Sequence, residues 1–246
     1  MVLELPSLTR YDVDLVAPAT LQGNQAEERV RRRLTVTEPY VTRRTLGQLH
    51  ELGVDPALLS ASSPDDDYFL LAFGCAFRPG PVGDPASFKE ASIGIRLGSP
   101  EGARPPAALA LSPGTGSVPG GSGFRIALSV PLGVAEPAVE YAANGTKEKR
   151  YVTAYGAGSS NPEWRLCDRR GHPLDGDVLL AVVVCGAAGT PVLAEVAVAA
   201  SLRRRMLTWV RAELPPRLHT IDLAARAPRD LPGGAPGVLP PGPDGR

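Results

Sequence analysis

The sequence predicts a mainly β protein: a β-sandwich or open barrel of about eight or more antiparallel strands, with a few short helices. Three observations carry this. The run from Val178 to Cys185 is apolar without interruption and rich in valine, too short for a helix and typical of a strand covered on both faces. The segment from Val192 to Leu202 alternates: Val192, Ala194, Val196, Val198, Ala200 and Leu202 face one way, Leu193, Glu195, Ala197, Ala199 and Ser201 the other. Such segments recur along the chain and are separated by turns rich in Gly and Pro.

Taken in order, Tyr11 to Ala17 alternates and reads as the first strand. Gln25 to Arg33 has helix-forming residues, whereas Arg31 to Thr37 reads equally as a strand. Thr42 to Leu52 predicts a short helix, with Leu46, Leu49 and Leu52 on one side and Gly53 as its C-cap. Asp55 to Leu59 is a second helical turn, with Asp as cap and Pro56 at the first position. Tyr68 to Phe77 is a strongly hydrophobic strand, in which Gly74 marks a bulge or a close approach.

Phe88 to Leu97 becomes a strand with Ile93, Ile95 and Leu97 inward and Gly94 and Arg96 outward. Ala107 to Leu111 follows as a short strand, then Ser112 to Gly123 as an exposed loop of low complexity. Phe124 to Val130 alternates again, Val134 to Tyr141 reads as an edge strand, and Arg150 to Tyr155 as another. Gly156 to Pro162 breaks the pattern before Trp164 and Leu166, the buried side of a short strand. Asp168 to Gly171 and Asp175 to Asp177 are turn chemistry.

The segment 190–214 has two readings. Thr190 and Pro191 make a good helix start, and one helix would align Val198, Leu202, Met206 and Trp209. The clean alternation favours a strand to about Leu202, followed by a helix from Arg203 to Leu214. Helices are thus expected mostly in the N-terminal third and near 203–214. Three regions result: 1–66, an N-terminal strand and short helices packed on the core; 67–226, the β core; and 227–246, a flexible tail dominated by Pro and Gly.

The formal net charge of the 246 residues is zero, which argues against a dedicated nucleic-acid binder. Arg outnumbers Lys and Ala is abundant, usage that fits a GC-rich bacterial coding sequence. Cys75, Cys167 and Cys185 are too few and too dispersed for a disulfide framework, and read as thiols of a reducing compartment. The N-terminus carries early acidic residues and no apolar h-region, and no stretch is long enough to span a bilayer. The expected location is the cytoplasm.

The candidates for chemistry are sparse. Asp168, His172, Asp175 and Asp177 could gather round a divalent cation, though the glycines and Pro173 account for the acids as turn formers. Asp65, Asp66 and Asp67 stand at the mouth of a buried strand, where acids hold a metal or serve as a base; a solvated loop explains them as well. The glycine-rich loops 112–123 and 156–160 match no nucleotide motif, and no helix stands behind them to cradle phosphate. No serine sits in a nucleophile elbow, and His50, His172 and His219 are the histidines on offer. No catalytic residue and no cofactor is favoured.

Basic clusters occur at Arg29 to Arg33, Arg43 and Arg44, Arg169 and Arg170, and Arg203 to Arg205. The last precedes Met206, Leu207, Trp209, Val210 and Arg211. Arg203, Arg204, Arg205, Trp209 and Arg211 are therefore the expected contact residues for an acidic partner or a membrane surface. The sequence points first to a non-catalytic protein acting through protein contact or homo-oligomerisation, because long hydrophobic strands need covered edges. A small-molecule or metal-dependent enzyme with a loop-borne acidic site is the alternative.

Overall fold

The computed structural model of the chain describes residues 2–4, 8–16, 29–60, 62–63, 65–78, 80, 87–115, 127–129, 151–167, 174, 176–203 and 207–227. In chain order the elements are β1 (Val2–Glu4), β2 (Arg10–Val16), β3 (Arg29–Thr37), β4 (Tyr40–Arg44), α1 (Leu46–Glu51), α2 (Pro56–Ser60), β5 (Asp67–Phe77), β6 (Ser87–Gly98) and β7 (Ala107–Ser112). There follow β8 (Ala127–Ser129), β9 (Tyr151–Tyr155), β10 (Glu163–Cys167), β11 (Gly176–Gly186), β12 (Leu193–Arg203), β13 (Leu207–Ala212), α3 (Pro216–His219), β14 (Thr220–Asp222) and α4 (Leu223–Arg226). The expected strand over 134–141 and the tail beyond 227 lie outside the described residues.

The predicted class is the observed one. Strands run in the order β7-β11-β5-β3-β2-β13-β12-β6-β10-β9, with β4 attached to β5 and β14 to β12. Every pairing in this sheet is antiparallel. The sheet curls until its two ends approach, giving a nearly closed barrel. A separate parallel pair joins β1 to β8.

Alternation decides what is inside. β5 and β11 form an eleven-residue ladder with Phe69 opposite Val184, Leu71 opposite Val182 and Phe73 opposite Leu180, all buried in the barrel. The other faces of these strands are covered too. Leu49, Leu52 and Leu59 of the α1–α2 region cluster with Leu70, Ala72, Ala181, Val183 and Leu109 on the outer side. Each fully buried leucine contributes about 1.5–3 kcal/mol. This explains why Val178 to Cys185 is apolar at every position.

One sequence reading resolves and two are corrected. Residues 29–37 are strand, not helix. The helix expected over Thr42 to Leu52 starts at Leu46, because Thr45 and Gln48 form a capping box that fixes its origin and leaves Thr42 to Arg44 in β4. The helix expected over Arg203 to Leu214 is not formed: β12 runs to Arg203 and residues 207–212 are β13, antiparallel to it. Val210 and Ala212 enter the barrel core while Arg211 points out, a period of two that pairing with β12 and β2 enforces over local helix propensity. The late helices are instead α3 and α4, after Pro215.

Gly74 marks a close approach rather than a bulge. Its N–H donates to Thr37 Oγ1 at 2.7 Å, and a Cβ there would stand 3.1 Å from the Thr37 methyl. The register shifts elsewhere, between Val13 and Leu15, between Val183 and Val184, and between Ser201 and Leu202, where fully buried Ser201 accepts the Glu90 N–H at 3.1 Å.

Candidate functional site

Two of the three acids at the mouth of β5, Asp66 and Asp67, are occupied by structural partners. Asp66 Oδ2 accepts from Ser63 N–H at 2.8 Å, pairs with Arg104 at 2.5 Å, and accepts the Cys185 thiol at 3.3 Å. Burial pushes its carboxyl up, but these donors, Arg104 foremost, more than offset burial and hold it below the ordinary value. Tyr68, its own hydroxyl ionisation raised by burial, donates to the Ser63 carbonyl at 2.9 Å and lies 2.9 Å from Ser62 Oγ. Asp67 pairs with Arg43 at 2.7 Å and accepts Gly189 N–H at 2.9 Å, and that guanidinium stacks over Phe69. Asp65 is exposed. The corner therefore staples the loop before β5 to the β11–β12 turn.

The Cys185 thiol is held protonated: burial first, then the Asp66 carboxylate, push it up to about 12. Burial alone does the same to Cys75.

Asp177 lies at the opposite end of the same ladder, opposite Ala76, while Asp67 is opposite Gly186. Nine residues of strand separate the two positions, about 30 Å. Asp177 is 3.8 Å from both Arg10 and Arg78. Asp168, His172 and Asp175 lie outside the described residues. Among the described residues, no group of three His, Cys, Asp or Glu side chains could hold a metal ion.

Of the expected contact residues, Arg203 and Arg211 are exposed on β12 and β13. Arg204 and Arg205 lie outside the described residues, and Trp209 is placed by its backbone only, opposite Ser201. Arg211 is opposite Val16, which is opposite Arg29. The pairing thus sets two basic clusters, distant in sequence, two strands apart.

The loop 156–162 closes the barrel. Ala108 N–H donates to the Ser159 carbonyl at 2.9 Å, and Gly158 N–H returns a bond to Ala108 at 2.7 Å. On the other side, Ile95 and Leu97 N–H groups donate to Pro162 and Ser160. Ser160 Oγ reaches the Pro106 carbonyl at 2.5 Å, and Trp164 Nε1 reaches that of Pro113 at 3.2 Å. Gly156 is required: its φ is +86°, and a Cβ would meet the Asn161 carbonyl at 2.5 Å. What reads in sequence as a candidate glycine-rich site is a seam.

Among the described residues, the remaining outer face, across β9, β10, β6, β12 and β13, leaves Tyr155, Arg165, Arg96, Ala197 and Arg211 exposed, with α3 against β12. Register arranges it in rows. One row holds Thr153, Arg165, Ser92, Ala199 and Arg211. The next holds Tyr155, Glu163, Gly94 and Ala197; the third, Arg96, Glu195 and Thr220. Glu163 accepts from Ser92 and from Arg165, both at 2.8 Å, and Arg165 holds its carboxyl below the ordinary range. Arg165 also stacks on Tyr155, and Arg96 pairs with Glu195. Tyr155 and Leu193, at 49% and 41% exposure, are the exposed large hydrophobics among the described residues, and both lie on this face. Sequence alternation marked Gly94, Arg96, Leu193, Glu195 and Ala197 as outward; which strands lie side by side was the missing information.

No family model matches the chain, and no curated protein is similar to it in sequence. Among solved structures it overlaps the membrane-inserted form of the Clostridium perfringens NetB toxin, with a TM-score of 0.35 and 7% identity over 89% of this chain and 98% of that one. A structure described as a pore-forming protein gives a TM-score of 0.32 and 7% identity over 85% and 88%. Among the described residues, no helix is long and apolar enough to cross a membrane, which leaves strands out of account.

Proposed function

We propose that the chain is a non-catalytic protein that acts by self-assembly or protein contact. One observation supports this most: the barrel is covered by α1 and α2 over β5 and β11, whereas among the described residues the β10-β6-β12 face leaves Arg165, Arg96 and Ala197 exposed and carries Tyr155 and Leu193 at its margins. Mixed faces with exposed aromatic residues are a usual ground of protein contacts. The best-defined acids, Asp66 and Asp67, are engaged by arginines and backbone amides, which speaks for scaffolding over catalysis. A reducing cytoplasm is part of the same reading, supported by the unbridged, buried Cys75 and Cys185. Sedimentation velocity of the full chain over a concentration series tests it. A discrete multimer is expected; a chain that stays monomeric throughout and binds no protein overturns it.

A second reading, contact with an acidic partner or membrane surface through 203–211, is favoured by the alignment of Arg211 with Arg29 across β2. Flotation with vesicles containing anionic lipid tests it. Binding insensitive to Arg203→Glu with Arg204→Glu removes it.

A further inference from the structure

We infer that the β10-β6-β12 face pairs with the same face of a second copy, about a two-fold axis running across the strands along the Glu163–Gly94–Ala197 row. This rests on the self-assembly reading and names its surface.

The first support is Gly94. It sits in the middle of β6, where glycine weakens a strand and commonly marks a site approached closely by another backbone. Nothing among the described residues requires it. A Cβ built at Gly94 meets no atom within 4 Å, and its φ is not in the left-handed region. The same open space stands over Gly98, at the end of the strand. Ala197, beside Gly94, is exposed. The centre of the face is therefore low, and no described residue accounts for it.

The second support is charge. A two-fold axis along that row lays each copy's Arg96–Glu195 row over the other's Ser92–Ala199 row. Long side chains then meet short ones. Arg96 of the second copy comes down over Ser92, next to Glu163, which already holds Ser92. Glu195 of the second copy comes down over Ala199, one strand from Arg211, a spacing of about 4.8 Å. The charges then alternate in a chain: Arg165, Glu163, the second copy's Arg96 and Glu195, then Arg211. The symmetry repeats the chain once more. An isologous contact needs this self-complementarity, and sheets pack face to face in the same manner within sandwiches.

Other registers of the same face are poorer. An axis parallel to the strands, between β6 and β12, would set Arg96 against Glu195 of the second copy but also Arg165 against Arg211, so like charges meet at both margins.

The test exchanges one pair. In the double variant Arg96→Glu with Glu195→Arg, the pair within the chain is retained, so the fold stands. Across the axis, the carboxylate now at position 96 would meet Glu163, and the guanidinium now at position 195 would meet Arg211. Ala197→Arg places bulk at the axis, on an exposed position. Sedimentation equilibrium of the full chain is expected to give a wild-type dimer, with dissociation constants raised at least about tenfold in both variants and thermal midpoints of the diluted, monomeric proteins unchanged. A wild-type multimer that neither variant weakens overturns this surface while leaving self-assembly in place. A wild-type monomer across the whole range overturns both.

Discussion

The Thr115 hydroxyl satisfies both backbone groups of Ala154: it accepts the Ala154 N–H at 2.9 Å and donates to the Ala154 carbonyl at 2.7 Å. One side chain thus stands in for a ladder residue across the gap between β7 and β9, which do not pair as strands. Thr115→Val keeps the shape and removes the hydroxyl, leaving β9 unsupported at that point. The expected cost is about 1 kcal/mol, with faster amide exchange at Ala154 and little change in β5 or β11. Thr115→Ser retains the bonds. Hydrogen exchange by mass spectrometry checks this, and equal protection in the valine and serine variants would remove the clasp.

The same seam depends on Gly156. Alanine there meets a backbone carbonyl at 2.5 Å and a φ of +86°, so the loop must shift to admit it. The bonds between 158–160 and β7 shift with it. Gly156→Ala is expected to cost more than about 1 kcal/mol, within the range for a strained backbone position. Gly158, also at positive φ but with open space around it, should tolerate alanine better. Urea denaturation of the two variants, ranked against each other, decides the point.

At the opposite corner, Asp66 ties Ser63, Arg104 and Cys185 together. Its carboxyl titrates below its ordinary value, so its stabilisation is fully present above about pH 4 and is lost as the pH falls through the folded value. Asp66→Asn removes that acid limb and costs about 1–2 kcal/mol at neutral pH, discounted because Arg104 is nearly half exposed. Stability of the variant should depend less on pH below about 4 than that of the wild type. Parallel curves for the two proteins would show that Asp66 is not the titrating group.

The Cys185 thiol belongs to the same corner, with ionisation pushed up to about 12 by burial and then by Asp66. Cys75, fully enclosed by the barrel, is pushed equally far by burial. Neither should react with iodoacetamide at about pH 8 until denaturant is added. Asp66→Asn removes the second cause at Cys185 only, so labelling there should rise while Cys75 stays silent. Peptide mapping after alkylation separates the two.

Much of this fold was legible because strands carry their burial in a period of two. Val192 to Leu202 announced which residues face the barrel, whereas Val178 to Cys185 and Tyr68 to Phe77, apolar on both alternating faces, announced strands without saying which face is inner. The helix cap at Asp55 was equally local and was read, whereas the capping box at Thr45 was local but was passed over for a helix starting at Thr42. Residues 203–214 misled because arginine, methionine and leucine favour helix in isolation, while their pairing with β12 and β2 depends on residues far away. The seam was hidden for the same reason: Ser159 and Ala108 are about 50 residues apart, and no local pattern joins them. The β10-β6-β12 face was half visible. Outward residues could be named strand by strand, but Ser92, Glu163 and Arg165 became one network only through the register of β6 with β10.

Gly94 separates stability from association more sharply than any other position. In an isolated chain, Gly94→Ala fills open space and reduces the freedom of the unfolded state, so it is expected to stabilise the monomer by about 0.4–1 kcal/mol. In the two-fold contact the added methyl group stands where another backbone approaches, and association should weaken. The two effects have opposite signs in one protein. Urea midpoints at low concentration read the first, and sedimentation equilibrium reads the second. A glycine kept only for strand flexibility would leave association untouched, and one needed by the barrel itself would lower the midpoint. A raised midpoint with a raised dissociation constant is the signature of a position shaped by a neighbour outside the chain.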